Sequence, residues 1–204
     1  KEFRGGVLVM TGANSAVGLR SMPVRYLFLD EVDGYPLDVE GEGDAISLAE
    51  ARTRTFARRK IFIVSTPTIS GASAIEREYE ASDQRRYFVP CPHCSHRQWL
   101  RFEQLRWDKG QPETAAYICE SCDTAIAEHH KTWMLEHGEW RAMITDGAGK
   151  TAGFHLSSLY SPVGWRSWRE IAAAWEAAVS KESGSAAAIK TFKNTELGET
   201  WVEE

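Results

Sequence analysis

The sequence predicts an α/β fold in which a partial parallel sheet is followed by an inserted cysteine-rich module and a helical C-terminal segment. Three observations support this prediction. Short apolar runs flank a helical pattern early in the chain, two Cys-x-x-Cys pairs lie in the middle, and an amphipathic helical pattern follows them. The chain has 204 residues, of which 43% are hydrophobic, and this is enough for one core with a small attachment.

Three apolar runs predict buried strands, because they are short, rich in β-branched or aromatic residues, and end in small or turn-forming residues. They are residues 6–12 (GVLVMTG), 26–30 (YLFLD) and 60–66 (KIFIVST). Between the last two runs, residues 45–59 place Ile46, Leu48, Ala49 and Phe56 at the apolar positions of a helix. A strand, helix and strand of this length predict parallel pairing.

Asp30 and Glu31 end the second apolar run side by side. An acidic turn at the end of a strand explains this pair, and so does a metal site at the edge of a sheet. In P-loop NTPase-like sheets a strand-terminal Asp helps to hold Mg²⁺, and in one branch the following Glu orients the attacking water. Adjacent strand residues point to opposite sides, so the two carboxylates suit these two roles.

The third run ends in the sequence STPT, which contributes the hydroxyl residues Ser65, Thr66 and Thr68. Parallel pairing would bring them to the same carboxyl edge as Asp30, where hydroxyl groups can sense a γ-phosphate. A plain proline turn also explains this sequence. Arg20 lies eleven residues before Glu31. It is either a cation that neutralises charge on a transferred phosphoryl group or a solvated loop residue.

Two Cys-x-x-Cys pairs, Cys91 to Cys94 and Cys119 to Cys122, are separated by 24 residues. Each pair can form a knuckle with two thiolates facing one ion, so the spacing predicts a zinc ribbon with a structural, four-thiolate Zn²⁺ site. A redox dithiol or unrelated buried cysteines are the alternatives.

The residues around the cysteines leave two details open. His93 and His96 are candidate substitute ligands or exposed loop histidines. Zinc knuckles favour Gly after the second Cys, where this chain has Ser95 and Asp123. Asp tolerates left-handed backbone geometry better than Ser does, so we expect a distorted first knuckle.

The C-terminal part carries a helix signal. Ser167 followed by Glu170 is a capping-box pattern. The apolar residues after it fall on one helical face: Trp168, Ile171, Ala172, Trp175 and Val179.

Three segments, taken in their order along the chain, resemble the large terminase subunit of lambda-type tailed phages, the motor that packages viral DNA. They are LRSMPVRYLFLDEVDGYP, EGEGDAISLAEARTRTFARRKIFIVSTPT and IEREYEASDQRRYFVPCPHC. By this resemblance, Asp30 binds Mg²⁺ and Glu31 is the catalytic glutamate. Residues 65–68 form the coupling motif, and Arg20 takes the place of an arginine finger, with Arg25 nearby. The resemblance implies an ATPase in the intact protein, which hydrolyses ATP with Mg²⁺ to move duplex DNA into a procapsid.

The chain departs from this family in one respect. A phosphate-binding G-x-x-x-x-G-K-[ST] sequence should precede the acidic strand, and residues 1–25 contain none. Gly149-Lys150-Thr151 comes after that strand and is predicted to be a turn. We therefore expect a central fragment that lacks the Walker A region and the nuclease domain and is inactive by itself. Its expected parts are the second half of an ATPase core (1–89), the zinc ribbon (90–130), and remaining ATPase elements with a helical segment leading to the nuclease (131–204).

The family also implies partners: double-stranded DNA, the terminase small subunit, the portal of the procapsid, and further copies of the chain. No run of 18 apolar residues is present, so we expect no membrane partner and a location in the host cytoplasm. The net charge of −5 argues against a protein that coats nucleic acid with its whole surface. A helicase-like DNA-dependent ATPase and a non-enzymatic zinc-ribbon module, such as a prophage remnant, are the rival interpretations.

Overall fold

The computed structural model describes residues 1–20, 22–145, 151–182 and 184–203, so Gly149 and Lys150 of the predicted turn lie outside the described residues. The chain forms two compact units, residues 1–66 and residues 67–204. The first unit contains β1 (Glu2–Phe3), β2 (Gly6–Val7), α1 (Ala16–Arg20), β3 (Tyr26–Asp30), α2 (Ala45–Ala51) and β4 (Lys60–Val64).

The second unit is made of short strands and helices. In chain order they are α3 (Ala74–Glu80), β5 (Arg85–Pro90), β6 (Arg97–Trp99), β7 (Leu105–Asp108), β8 (Gln111–Ile118), β9 (Ala125–Ile126), α4 (Lys131–Glu136), β10 (Glu139–Arg141), β11 (Phe154–His155), α5 (Trp168–Val179) and α6 (Ala186–Phe192). No helix among these described elements is long and apolar enough to cross a membrane.

The parallel strand pair predicted for the first unit is confirmed. Strands β3 and β4 pair in parallel, with Asp30 opposite Val64 at the carboxyl end. The helix between them is α2, whose first turn is capped by Asp44 through a 2.9 Å bond from the Ser47 amide. The helix is shorter than predicted, and turns follow it from Arg52 onward.

The prediction of a buried strand over residues 6–12 is wrong. Only Gly6 and Val7 form a strand, and it pairs with β1 in an antiparallel hairpin. Gly5 closes this hairpin with a φ of +96°, a left-handed conformation that favours glycine. The following residues Leu8 to Met10 are exposed and lie outside any strand.

One face of the β3–β4 pair is open. Leu29 is buried on the other face, whereas Phe28 is 73% exposed and Phe62 is 54% exposed. Parallel sheets in α/β proteins are normally covered on both faces. An apolar surface is therefore exposed on this face and at Leu8 to Met10, contrary to the prediction that these runs are buried. The self-association that it favours stays a prediction.

The second unit contains two sheets around one apolar core. Strand β5 pairs with β10 and β6 in antiparallel fashion and with β11 in parallel, and β8 lies between β7 and β9. Helix α5 packs against β7 and β8, where Tyr117 and Trp168 are fully buried. One hydroxyl makes two bonds in this core: that of Tyr160 donates to the Tyr87 carbonyl at 2.8 Å and accepts from the Leu100 amide at 2.7 Å.

Helix α5 begins as predicted. Ser167 and Glu170 form the complete capping box, and Trp168 lies on the buried face. Val179 is 42% exposed, so its predicted place on that face is wrong, and Ala178 is buried instead.

Lys131 is a buried cation at the start of α4. Its side chain is fully buried and its ammonium lies 2.6 Å from Glu128 Oε1. The same carboxylate oxygen accepts from the Trp168 amide at 2.9 Å, so Glu128 connects α4 to the start of α5. The Lys131 ammonium also lies over the Trp168 ring, 5.2 Å from its centre.

His155 is a half-buried, neutral imidazole. Its Nε2 donates to the Gly198 carbonyl at 3.0 Å, and its Nδ1 accepts from Arg86 at 2.5 Å. Burial, and next the charge of Arg86, lower the pKa of His155 from 6.5 to about 4. Tyr79 lies beside it, with the two ring centres 6.2 Å apart. The contact with Arg86 therefore requires the neutral imidazole, because only an unprotonated Nδ1 can accept the bond from this guanidinium.

Removing the Glu128 carboxylate should destabilise the second unit strongly. We expect Glu128→Ala to lower the free energy of unfolding by about 3–5 kcal/mol, because it leaves the Lys131 ammonium buried without its partner. The double variant Glu128→Gln/Lys131→Met should recover most of the loss. Urea unfolding measures both, with the exposed Glu136→Ala as control. A loss no larger than that of the control would contradict this role.

The His155 contact predicts a pH-dependent stability. As the pH falls below about 6.5, the unfolded chain takes up a proton on this residue, whereas the folded chain does so only near pH 4. The stabilisation is complete above pH 6.5 and is lost between about 6.5 and 4, up to about 3 kcal/mol. Urea unfolding at several pH values should show a shallower slope for His155→Gln in this interval. Equal slopes for variant and parent would contradict the assignment.

Candidate catalytic edge and metal centre

The carboxyl ends of β3 and β4 form one edge of the first unit. Asp30 is paired with Val64, so Glu31 and Ser65 each follow the last paired residue of their strand. The parallel register therefore places the acidic pair and Ser65 at the same edge, whereas Thr68, predicted at this edge as well, belongs to the second unit. Asp30 and Glu31 are both exposed, and Ser65 is half-buried.

Glu31 has a left-handed backbone, with φ 55° and ψ 46°. It ends β3 and begins a 3-10 turn over Val32–Gly34, in which Val32 is 1% exposed. A left-handed conformation is uncommon for a residue other than Gly, Asn or Asp, and such residues cluster at functional sites. The turn fixes where the Glu31 carboxylate leaves the strand.

Ser65 binds this acidic turn directly. Its hydroxyl accepts a bond from the Asp33 amide at 3.2 Å and donates to the Thr66 carbonyl at 3.0 Å. The end of β4 is thus connected to the turn that carries Glu31. The Tyr35 hydroxyl lies against the Asp30 backbone, and burial raises the pKa of Tyr35.

The STPT sequence spans the division between the units, since Thr66 ends the first and Pro67 begins the second. Within the second unit, the Thr68 carbonyl accepts from Asn194 Nδ2 at 2.8 Å and from the Trp201 amide at 2.9 Å. Asn194 was not predicted from the sequence, and its amide also donates to the Glu199 carbonyl at 2.8 Å. A polar residue in an otherwise helical pattern gives no signal of a contact 126 positions away.

Arg20 ends α1 and forms an ion pair with Glu42 within the first unit. Its Nε also donates to the Ala16 carbonyl, and its own carbonyl accepts from Arg52. The guanidinium is partly exposed, so it is still accessible to an incoming anion. Its assignment as an arginine finger stays a prediction.

The four cysteine sulfurs of the second unit meet at one point. The ligand atoms of Cys91, Cys94, Cys119 and Cys122 all lie within 4.8 Å of one another. The sulfurs of Cys91 and Cys122 are 4.0 Å apart, and those of Cys94 and Cys119 are 3.8 Å apart. Disulfide sulfurs are about 2.05 Å apart, whereas a tetrahedral ion with about 2.3 Å bonds to sulfur separates its ligands by about 3.8 Å. The cluster therefore has the geometry of a metal site.

Both knuckles have the same backbone pattern. The Ser95 amide donates to the Cys91 carbonyl at 2.9 Å, and the Asp123 amide donates to the Cys119 carbonyl at 3.1 Å. Ser95 has a φ of 63° and Asp123 a φ of 54°. The expected distortion of the first knuckle is thus wrong, because Ser95 adopts the left-handed conformation that the turn requires.

The thiols of the cluster differ in acidity. Burial raises the pKa of Cys91 to about 12, whereas hydrogen bonds from Thr124 lower the pKa of Cys122 to about 6. Metal ligands are thiolates, so a bound cation must displace the proton that burial favours on Cys91. The His93 amide lies 3.4 Å from the Cys91 sulfur, close enough to donate a bond to a thiolate.

The two histidines named as substitute ligands lie elsewhere. His96 Nε2 is 3.0 Å from Glu120, and the His93 ring is 5.6 Å from the ring of His130. Among the described residues, the group that could hold a metal ion consists of the cysteines alone.

Comparison with known families matches both parts of the chain. The family described as "Phage terminase large subunit gpA, ATPase domain" matches residues 1–140. The family described as "Terminase large subunit gpA, endonuclease domain" matches residues 151–204. This second match differs from our expectation that nuclease sequence begins beyond residue 204.

Two curated relatives carry the name "Terminase, large subunit". The protein of Enterobacteria phage P21 is 32% identical over 226 aligned positions, which cover 100% of this chain and 34% of the relative. The protein of Escherichia phage lambda is 29% identical over 212 positions, which cover 93% of this chain and 32% of the relative. This chain thus spans about a third of the length of these relatives. No solved structure matches significantly.

The thiol geometry predicts one bound zinc ion per chain. Elemental analysis of protein purified under reducing conditions should find this stoichiometry, and Cys94→Ser should lower it to near zero, because a three-thiolate site is incomplete. Ser95→Ala, the neighbouring change in the same knuckle, should retain the metal. Parent protein without zinc, or equal metal loss in both variants, would contradict the site.

Proposed function

Because this chain belongs to the family of phage terminase large subunits of the lambda type, we propose that it forms part of a motor that hydrolyses ATP to move duplex DNA into a procapsid. The observation that carries the proposal is the shared carboxyl edge of β3 and β4. It lies within the segment that matches the ATPase-domain family and combines Asp30, Glu31 and Ser65.

Each residue at this edge has a proposed role. Asp30 binds Mg²⁺, and Glu31 orients the water that attacks the γ-phosphate. Ser65, Thr66 and Thr68 respond to the state of that phosphate. The bond between the Ser65 hydroxyl and the Asp33 amide supports this coupling, since a shift of β4 would move the turn that carries Glu31.

Arg20 completes the proposed set as a cation for the transferred phosphoryl group. Its partner Glu42 would have to release it, and the partial exposure of both side chains supports such an exchange. A phosphate-binding loop must come from sequence outside these residues, so we propose that the 204-residue chain alone does not hydrolyse ATP.

The cysteine cluster is proposed to be a structural zinc ribbon. Four protein ligands would close the coordination sphere and leave no open position for catalysis. Its cysteines lie in the turn between β5 and β6 and in the turn between β8 and β9.

The limits of the domains are proposals as well. We keep residues 1–89 as ATPase core and 90–130 as zinc ribbon. Residues 131–204 were assigned to further ATPase elements, and the endonuclease-family match makes residues 151–204 the proposed start of the nuclease domain. The proposed partners are duplex DNA, a terminase small subunit, a portal and other copies of the subunit.

The role of Glu31 predicts a separation of binding from hydrolysis. In a protein extended to the length of the relatives, Glu31→Gln should bind ATP as the parent does but hydrolyse it about 10² to 10⁴ times more slowly, because the amide cannot act on the attacking water. Equilibrium binding and single-turnover hydrolysis measure the two properties.

Glu40→Gln is the matched control, since Glu40 is another exposed glutamate with a left-handed backbone in the same unit. It should leave both properties unchanged. If Glu31→Gln hydrolyses ATP at the parent rate, Glu31 is only a turn residue.

A further inference from the structure

The outer side of the β6–β5–β10 sheet carries arginines stacked on aromatic rings. Residues directly opposite one another in an antiparallel pair share a face, and alternate residues of a strand lie on that face. We call this surface the arginine face, and it consists of Arg86, Phe88, Arg97, Trp99, Glu139 and Arg141. The opposite face carries Val89 and Gln98, both fully buried.

Cation–π contacts fix the guanidinium groups on this face. Arg86 lies 4.6 Å from the centre of the Trp99 ring, and Arg141 lies 4.8 Å from the centre of the Phe88 ring. Beside the face, Arg101 lies 5.5 Å from Trp99. A guanidinium that stacks through its flat side keeps its in-plane N–H groups available for an anion. The stacking therefore orders the donors before any ligand arrives.

The charges on the face leave an excess of cations. Arg141 is paired with Glu139, and Arg101 is paired with Glu120. Among the described residues, no carboxylate forms an ion pair with Arg86 or Arg97, although Glu199 lies within electrostatic range of Arg86 and Glu139 within range of Arg97. Arg86 contacts His155, and Arg97 donates to the His137 carbonyl at 2.9 Å. Three arginines of the face thus stand against one carboxylate of the face. The chain has a net charge of −5, so this local excess is not a consequence of overall composition.

We propose that the arginine face binds the phosphate backbone of duplex DNA. The stacked guanidinium groups offer planar donors that fit phosphate oxygens. The rings of Phe88 and Trp99 are covered by arginines and so are not free to stack on unpaired bases, which favours a duplex over a single strand. The choice of DNA rests on the proposed packaging function. The contact itself reads no bases and is independent of sequence.

The test uses the whole 204-residue chain and a fluorescent duplex of random sequence. Anisotropy titrations between about 50 mM and 200 mM salt give the affinity and its salt dependence. The double variant Arg97→Gln/Arg141→Gln should bind about ten-fold or more weakly, and the slope of log affinity against log salt should become shallower by about 2. Glu139→Gln, which removes the competing carboxylate, should bind several-fold more tightly.

Arg169→Gln, an exposed arginine on α5, is the matched control and should bind as the parent does. Circular dichroism should show that every variant is folded. Absence of duplex binding at 50 mM salt overturns the proposal, as does an equal loss for the control. A single strand of equal length that competes better than the duplex also overturns it. If the duplex-binding test fails, the role of Glu31 is unaffected, because the Glu31→Gln experiment measures ATP hydrolysis. If the Glu31→Gln experiment fails, duplex binding by the arginine face is unaffected.

Discussion

The meeting of four sulfur atoms within 4.8 Å constrains most of the second unit. Cys91 and Cys94 lie in the turn between β5 and β6, and Cys119 and Cys122 lie in the turn between β8 and β9. The proposed ion would join these turns and fix the two sheets relative to each other without requiring much apolar surface, which matters for a module this small. The arginine face is connected to the same constraint, because the first knuckle joins β5 and β6, which carry Arg86, Arg97 and Trp99.

The first unit depends on a different constraint, the parallel register of β3 and β4. This register alone places Asp30, Glu31 and Ser65 at one edge, and the contact between Ser65 and the Asp33 amide then links the two strand ends. The STPT sequence is held at both ends, by Asp33 in the first unit and by Asn194 and Trp201 in the second.

Local patterns predicted those features that are local in origin. The Cys-x-x-Cys spacing predicted the cluster, and the strand, helix and strand pattern predicted the parallel pair. The prediction for residues 6–12 was wrong because it relied on their apolar content and did not consider a turn at Gly5, which closes a hairpin with β1. No local sequence pattern predicts the ion pair of Lys131 with Glu128 or the stacked arginines. These contacts form only when the chain buries Lys131 and brings separate strands together.

The four-thiolate closure is the central claim, because the second unit depends on it and the arginine face is connected to it. X-ray absorption at the zinc edge of the purified chain tests it most directly. The account predicts a single shell of four sulfur atoms at about 2.3 Å from the metal. A shell that contains nitrogen or oxygen at about 2.0–2.1 Å, or fewer than four sulfurs, would contradict it.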